Sequence, residues 1–249
     1  MSTILTMDTA EARAFRRTIP PMLSFVSGFV DTIGFLGLSG LLTSQVTGAF
    51  VAAGAAFVER QPGLAAKLLA MPMFMVGAGT MTLLVVVLKR RAVDPMPWAM
   101  ALVSVLIALY LLVAVVAGPF ASPDTAPALT AAILAFIAMG AESALVRVLF
   151  KGSVPANFMT GNVTQVAVET TELILARLRL LNVGDVAADA TRVSAATAQL
   201  MVLLPTIASF MLGATIAAHA FIAIGFWSLL LATALVAAAA LWARQGTMA

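Results

Sequence analysis

The sequence predicts an all-α fold of the polytopic membrane kind. Six transmembrane helices form two inverted three-helix repeats, each with a short extra helix carrying a Thr-Gly turn after its first span. Three observations lead there. Of 249 residues, 62% are hydrophobic and only 10% charged, against roughly 25% charged in soluble domains. Charge-free stretches reach the length of about 20 apolar residues that crosses a bilayer core; the clearest run from Lys67 to Lys89, Pro97 to Ala117, Val193 to Ala218 and Ala220 to Ala243. A pattern also recurs, as GFVDTIGFLGLSGLLTSQVTGAFV from Gly28 and MGAESALVRVLFKGSVPANFMTGNVTQV from Met139. Each copy sets a carboxylate, Asp31 or Glu142, in a Gly-bearing apolar helix and follows it with Thr-Gly, at Thr47-Gly48 and Thr160-Gly161.

Residues 1–17 read as a retained cytosolic segment. Asp8 and Glu11 have the spacing of a helix-capping box, and the short apolar core and small-residue cleavage site of a signal peptide are missing. The expected spans are Pro21 to Leu42, Leu64 to Leu88, Pro97 to Ala117, Pro127 to Phe150, Val193 to Ala218 and Ala220 to Ala243. They divide into a first repeat over 18–120 and a second over 121–249. Gly34, Gly37 and Gly40, spaced by three on span one, together with Gly28, point to close helix packing; the alternative is a helix that bends during function. The Met71–Gly77 run reads as packing or lipid contact. Pro72 and Pro205 fall within spans two and five and would kink equivalent helices.

The basic residues set the topology. With the N-terminus cytoplasmic, Arg13, Arg16, Arg17, Lys89, Arg90, Arg91, Arg147, Lys151, Arg177, Arg179, Arg192 and Arg244 fall on or near the cytoplasmic side, and only Arg60 and Lys67 fall outside. That bias places both termini inside. It also accounts for the net charge of +3 without a nucleic-acid partner. Each half holds an odd number of spans, so the second enters the membrane in the opposite direction. Inverted three-span repeats are a recurrent transporter design, although duplication also serves merely to build a stable bundle. The bilayer is the expected partner, with an unidentified small-molecule or ion substrate; a homo-oligomer is compatible with six short spans.

Chemistry is narrowed by what is scarce. With no cysteine and one histidine, disulfides, thiolate chemistry and the usual zinc sites fall away, and no metal or cofactor is expected. Gly37-Leu38-Ser39-Gly40 has the GxSG form of a rhomboid intramembrane protease, with His219 as a base. The match is weak, because Ser39 lies on span one and His219 in an expected tight loop, so no enzyme and no catalytic residue is expected.

The candidate site comes from the two segments after the carboxylate-bearing helices, Thr43 to Phe57 and Pro155 to Ala176. Asn162, Gln165, Glu169 and Glu172 recur along one helical face, and Asn162 with Gln165 resembles a capping box. A helix is therefore expected to begin at the Thr160-Gly161-Asn162 turn, its N-terminal amides suited to an anion or polar solute. Aligning the Thr-Gly pairs places Ala49, Ala52, Ala56 and Glu59 opposite that stripe. Either both segments dip into the membrane as half-helices, or the second lies on the cytoplasmic surface with its acidic stripe in water, closed by Arg177 and Arg179. Asp31, near mid-span, costs about 2.5 to 3.5 kcal/mol to insert if ionised. It and Glu142 either couple proton or cation movement, or act as structural ties: Asp31 on backbone amides freed by a broken helix, Glu142 on Arg147 or a neighbouring helix.

These motifs, GFVDTIGFLGLSGL with its Thr-Gly turn and MGAESALVR followed by FMTGNVTQ, resemble the YoaK family (domain of unknown function 1275), small multi-pass bacterial membrane proteins of uncharacterised function. The resemblance covers about Pro20 to Arg244. It implies a six-span protein of the bacterial inner membrane and little about substrate. The chain departs from the family pattern at Ala49, where Thr-Gly-Asn is usual, and at Glu142-Ser143, where a Gln-Asn pair is usual. The leading expectation is a secondary transporter or channel for a small polar or anionic solute, with a site drawn from Asp31, Thr47, Glu142, Thr160, Gly161, Asn162, Gln165 and Glu169. A non-transporting membrane scaffold is the alternative, and an intramembrane serine protease a distant one.

Overall fold

The computed structural model describes residues 10–150, 154, 156–178 and 186–245. The expected capping residue Asp8, the charges Lys151 and Arg179 and the segment boundary Pro155 lie outside the described residues. The chain runs through α1 (Ala10–Gly37), α2 (Val46–Glu59), α3 (Leu64–Arg90), α4 (Pro95–Ala117), α5 (Ala126–Leu149), α6 (Met159–Arg177), α7 (Val186–Ile224), a 3-10 turn at Gly225–Ser228 and α8 (Leu229–Gln245), with no strand among the described residues.

Five stretches are long and apolar enough to cross a bilayer: Arg13–Gly37, Leu64–Arg90, Pro95–Ala117, Ala126–Leu149 and Ala190–Gln245. This is the architecture of a helical membrane bundle. The last stretch, of 56 residues, contains α7, the 3-10 turn and α8. The break expected near His219 falls instead at Gly225, whose φ of 58° is the left-handed conformation that glycine adopts freely. His219 stays helical because its ring Nδ1 sits 2.8 Å from the Thr215 carbonyl of its own helix, so its polarity creates no unmet demand there. Pro72 and Pro205 lie inside α3 and α7, as expected.

Two helices form the centre. Within the most apolar window of each, 67% of residues are buried in α1 and 72% in α5, against 17% in α3, so the two carboxylate-bearing helices are enclosed and α3 presents Leu68, Met75 and Leu83 outward. The tightest crossings are α1 with α7 and α3 with α5. At the first, a Cβ on Gly28 would stand 2.3 Å from the Phe210 carbonyl oxygen, and one on Gly213 2.1 Å from that of Phe25. At the second, Gly77 meets the Ile137 carbonyl and Gly140 that of Phe74, each at 2.1 Å from the absent Cβ. Each crossing thus rests on two glycines facing each other's backbone, the close approach that small residues permit between membrane helices. The residues that notch the helices are paired across different segments, which spacing along one helix does not reveal.

Aromatic rings close both ends of the bundle. Phe15, ahead of the first expected span, is fully buried and packs on Phe150 and edge-on against Trp242. Phe226, beside the 3-10 break, meets Tyr110, Phe120 and Phe221.

Gly140→Ala is expected to lower stability by about 1–3 kcal/mol, the cost of forcing packed backbones apart. Gly79→Ala, with nothing within 4 Å of its Cβ, is expected to leave stability unchanged. Thermal unfolding of the detergent-solubilised protein checks the pair.

Candidate functional site

The site begins where α1 stops. The expected span runs on to Leu42, but the helix ends at Gly37. Ser39 at φ 56° and Gly40 at φ 81° turn the chain back, and Gly40 N–H donates to the Phe35 carbonyl at 2.9 Å. The returning strand of chain fits because Gly34 has no side chain: a Cβ there would stand 2.8 Å from Thr43 Cγ2 and 2.9 Å from the Leu41 carbonyl oxygen. Thr43 and Ser44 thereby reach Asp31, six residues before the end of α1 and roughly 9 Å down its axis.

Asp31 captures them with four hydrogen bonds. Its Oδ1 accepts from the Thr43 amide at 2.6 Å, the Thr43 hydroxyl at 3.0 Å and the Ser44 amide at 2.6 Å. Its Oδ2 accepts from the Ser44 hydroxyl at 2.6 Å. Buried irregular backbone needs partners for its amides, and one carboxylate supplies two of them. Of the two roles open to Asp31 from sequence, this is the geometry of the structural tie.

The second half repeats the return with different groups. After α5 ends at Leu149, Asn157 comes beside Ser143, whose hydroxyl donates to Asn157 Oδ1 at 3.3 Å. The preceding carbonyl, of Ala156, lies 2.9 Å from Ser24 Oγ, which also lies 2.8 Å from the Thr206 carbonyl. The second returning loop therefore meets α1, in the opposite half of the sequence, at a hydroxyl that also faces the Thr206 carbonyl of α7.

Both returns lead directly into helices. Helix α2 has 14 residues, roughly 21 Å, too short for a hydrocarbon core of about 30 Å. Helix α6 starts at Met159, so Thr160, Gly161 and Asn162 occupy its first turn; the expected start at the Thr-Gly turn is displaced. Neither N-cap residue, Gln45 nor Phe158, makes a side-chain capping bond, which leaves first-turn amides without an intrahelical acceptor. The two amino ends open on one cavity of about 440 Å³, bounded by residues 44–47 and 157–160, by Phe74, Ala78 and Thr82 of α3, and by the α5 face from Ser143 to Val148.

The expected site residues separate into groups. Thr47 and Thr160 line the cavity. Gly161 lies against Phe158, whose ring atoms would stand 2.1 Å from a Cβ there, so glycine lets that ring fold over the helix start. Asn162 is buried, and Gln165, expected to form a capping box with it, directs its side chain to Glu169. Gln165 Nε2 donates to Glu169 Oε1 at 2.6 Å on the exposed side of α6, and neither residue lines the cavity. Asp31 stands behind the first loop. Glu142 is fully buried at the contact of α5 with α1, where its Oε2 accepts from Ser27 at 2.9 Å and its Oε1 has no partner among the described residues. Of the two ties expected for Glu142, the one to a neighbouring helix is present, at Ser27 of α1, while Arg147 is exposed and faces the cavity. Ser39 and His219 share no hydrogen bond, His219 Nδ1 being held by Thr215.

Ser44, Asn157 and Ser143 were not anticipated. Their signal was available, since Ser44 and Asn157 each stand three residues before a Thr-Gly pair, but a lone Ser or Asn in a short polar stretch reads as loop until the partner on the helix is known.

Residues 21–242 match the family model described as "Protein of unknown function (DUF1275)". No curated protein and no solved structure matches the chain.

Asp31→Ala is expected to cost about 3 kcal/mol or more, since it orphans two buried amides at about 1–3 kcal/mol each. Asp31→Asn keeps an acceptor for both amides and is expected to lose less than half of that. Unfolding midpoints of the two variants, with limited proteolysis at residues 38–45, measure the difference.

Proposed function

The chain belongs to the DUF1275 family, and we propose that it is a six-span secondary transporter or channel for a small polar or anionic solute, set in the bacterial inner membrane with both termini cytoplasmic. The observation that carries this reading is the single cavity at which two half-helices, one from each half of the sequence, begin without side-chain caps. Half-helix ends meeting within a bundle are a recurrent way to hold a polar solute in a membrane.

The inverted-repeat part of the reading is supported by packing register. Phe25 and Gly28 stand to Phe210 and Gly213 as Ile137 and Gly140 stand to Phe74 and Gly77, with the same three-residue spacing in all four helices. Helices α1 and α7 run in one direction, as Ser24 with Thr206 and Gly37 with Phe221 show. This register sets Gly28 against Gly140, so Asp31 corresponds to Ser143 rather than to Glu142. The two carboxylates are therefore unequal. Asp31, saturated by four donors, builds the site; Glu142, buried with one oxygen open, is the group suited to exchange a proton or cation. No enzymatic role is proposed.

The chain has no native cysteine, so single cysteines report cleanly. Thr47→Cys and Thr160→Cys are expected to react with a membrane-impermeant thiol reagent, and Arg91→Cys, at an exposed helix end, serves as a positive control. Reaction at Arg91→Cys alone would favour the scaffold reading, because the cavity would then be sealed from water. In reconstituted vesicles, Glu142→Gln is expected to keep the fold while removing the pH dependence of solute flux; unaltered pH dependence would sink the coupling role.

A further inference from the structure

The cavity carries a further inference about what it holds. Among the described residues that line it there is no carboxylate, and Arg147 is the one charged side chain. Both amino ends that open on it bring partial positive charge and unfilled N–H groups. A second observation is independent of those ends. Asn157 is 9% exposed and lines the cavity; its Oδ1 accepts from Ser143 at 3.3 Å, which leaves its Nδ2 undirected toward any described residue. An amide group on a residue so little exposed, with its oxygen engaged by the protein, has two N–H donors to offer an acceptor held in the cavity. The hydroxyls of Thr47 and Thr160 stand at the same rim.

These groups discriminate by charge. A cation would meet two positive helix ends and Arg147, and the two nearby carboxylates do not help it. Asp31 is wholly engaged by Thr43 and Ser44, and Glu142 faces Ser27 on α1. A neutral polyol needs acceptors as well as donors, and the cavity is rich in donors. A guanidinium adds a planar fork that matches two oxygens of one ligand. We propose that the solute is a small oxyanion, held between the amino ends of α2 and α6 by their free amides, Asn157 and Arg147. The proposal rests on the transport reading and sharpens it from polar solute to anion. The volume of about 440 Å³ admits an ion of a few heavy atoms together with several waters, at about 30 Å³ per water.

The test is thermal stability of the full-length protein in detergent, titrated with the sodium salts of nitrate, formate, acetate, sulfate and phosphate at constant ionic strength against gluconate. Urea and glycerol serve as neutral probes. Saturable stabilisation by at least one of the five anions is expected. Arg147→Gln should weaken its apparent affinity about tenfold, the scale of one charge-assisted hydrogen bond. Asn157→Asp, near-isosteric and negative, should abolish the effect, while Arg91→Gln should leave it intact. The inference is overturned if no anion stabilises, if the neutral probes stabilise as well as the anions, or if both cavity variants bind like the parent. Stabilisation by a neutral probe together with labelled Thr47→Cys would remove the anion and leave the carrier standing. Absence of both labelling and binding would remove the two together.

Discussion

The structure depends on the capture of a returning chain by Asp31. A helix that stops at Gly37 and folds back against itself exposes amide groups where no water is at hand, and such backbone persists in a membrane protein only if something within the protein bonds it. Asp31 accepts from two of those amides and from the hydroxyls beside them. Glycine at position 34 makes room for the return. Remove either and the start of α2 has no reason to sit deep in the bundle.

Everything at the cavity follows from that depth. Because the return ends beside Asp31, roughly 9 Å inside the end of α1, α2 starts inside and its amino end faces the cavity. The second half achieves the same with neutral groups, Ser143 with Asn157 and Ser24 with the Ala156 carbonyl. The Ser24 bond ties the second loop to a helix of the first half, so the second half does not complete its side of the cavity alone. Close crossings at Gly28 with Gly213 and Gly77 with Gly140 hold the four supporting helices near enough for these short side chains to reach.

The carboxylates illustrate why residue type alone did not assign roles. Both are buried acids on central helices, and both stand near a Thr-Gly pair in sequence. One has every oxygen engaged by its own loop, and the other has an oxygen without a partner among the described residues. The difference lies in which neighbours arrive, not in the acids themselves.

The sequence by itself determined the membrane class and most helix positions, because burial in lipid demands long apolar runs and those are local in the chain. Two residues that it singled out, Thr47 and Thr160, line the cavity. The tertiary structure alone decided that α1 ends at Gly37, that the Gln165–Glu169 pair lies outside the cavity lining, and that Asn157 and Arg147 face the cavity. Each of these is set by contacts between residues far apart in sequence, where a three-residue shift in helix register changes which groups meet. Periodicity along one helix carries no record of that register, whereas the glycine crossings set it physically by excluding every side chain at the points of contact.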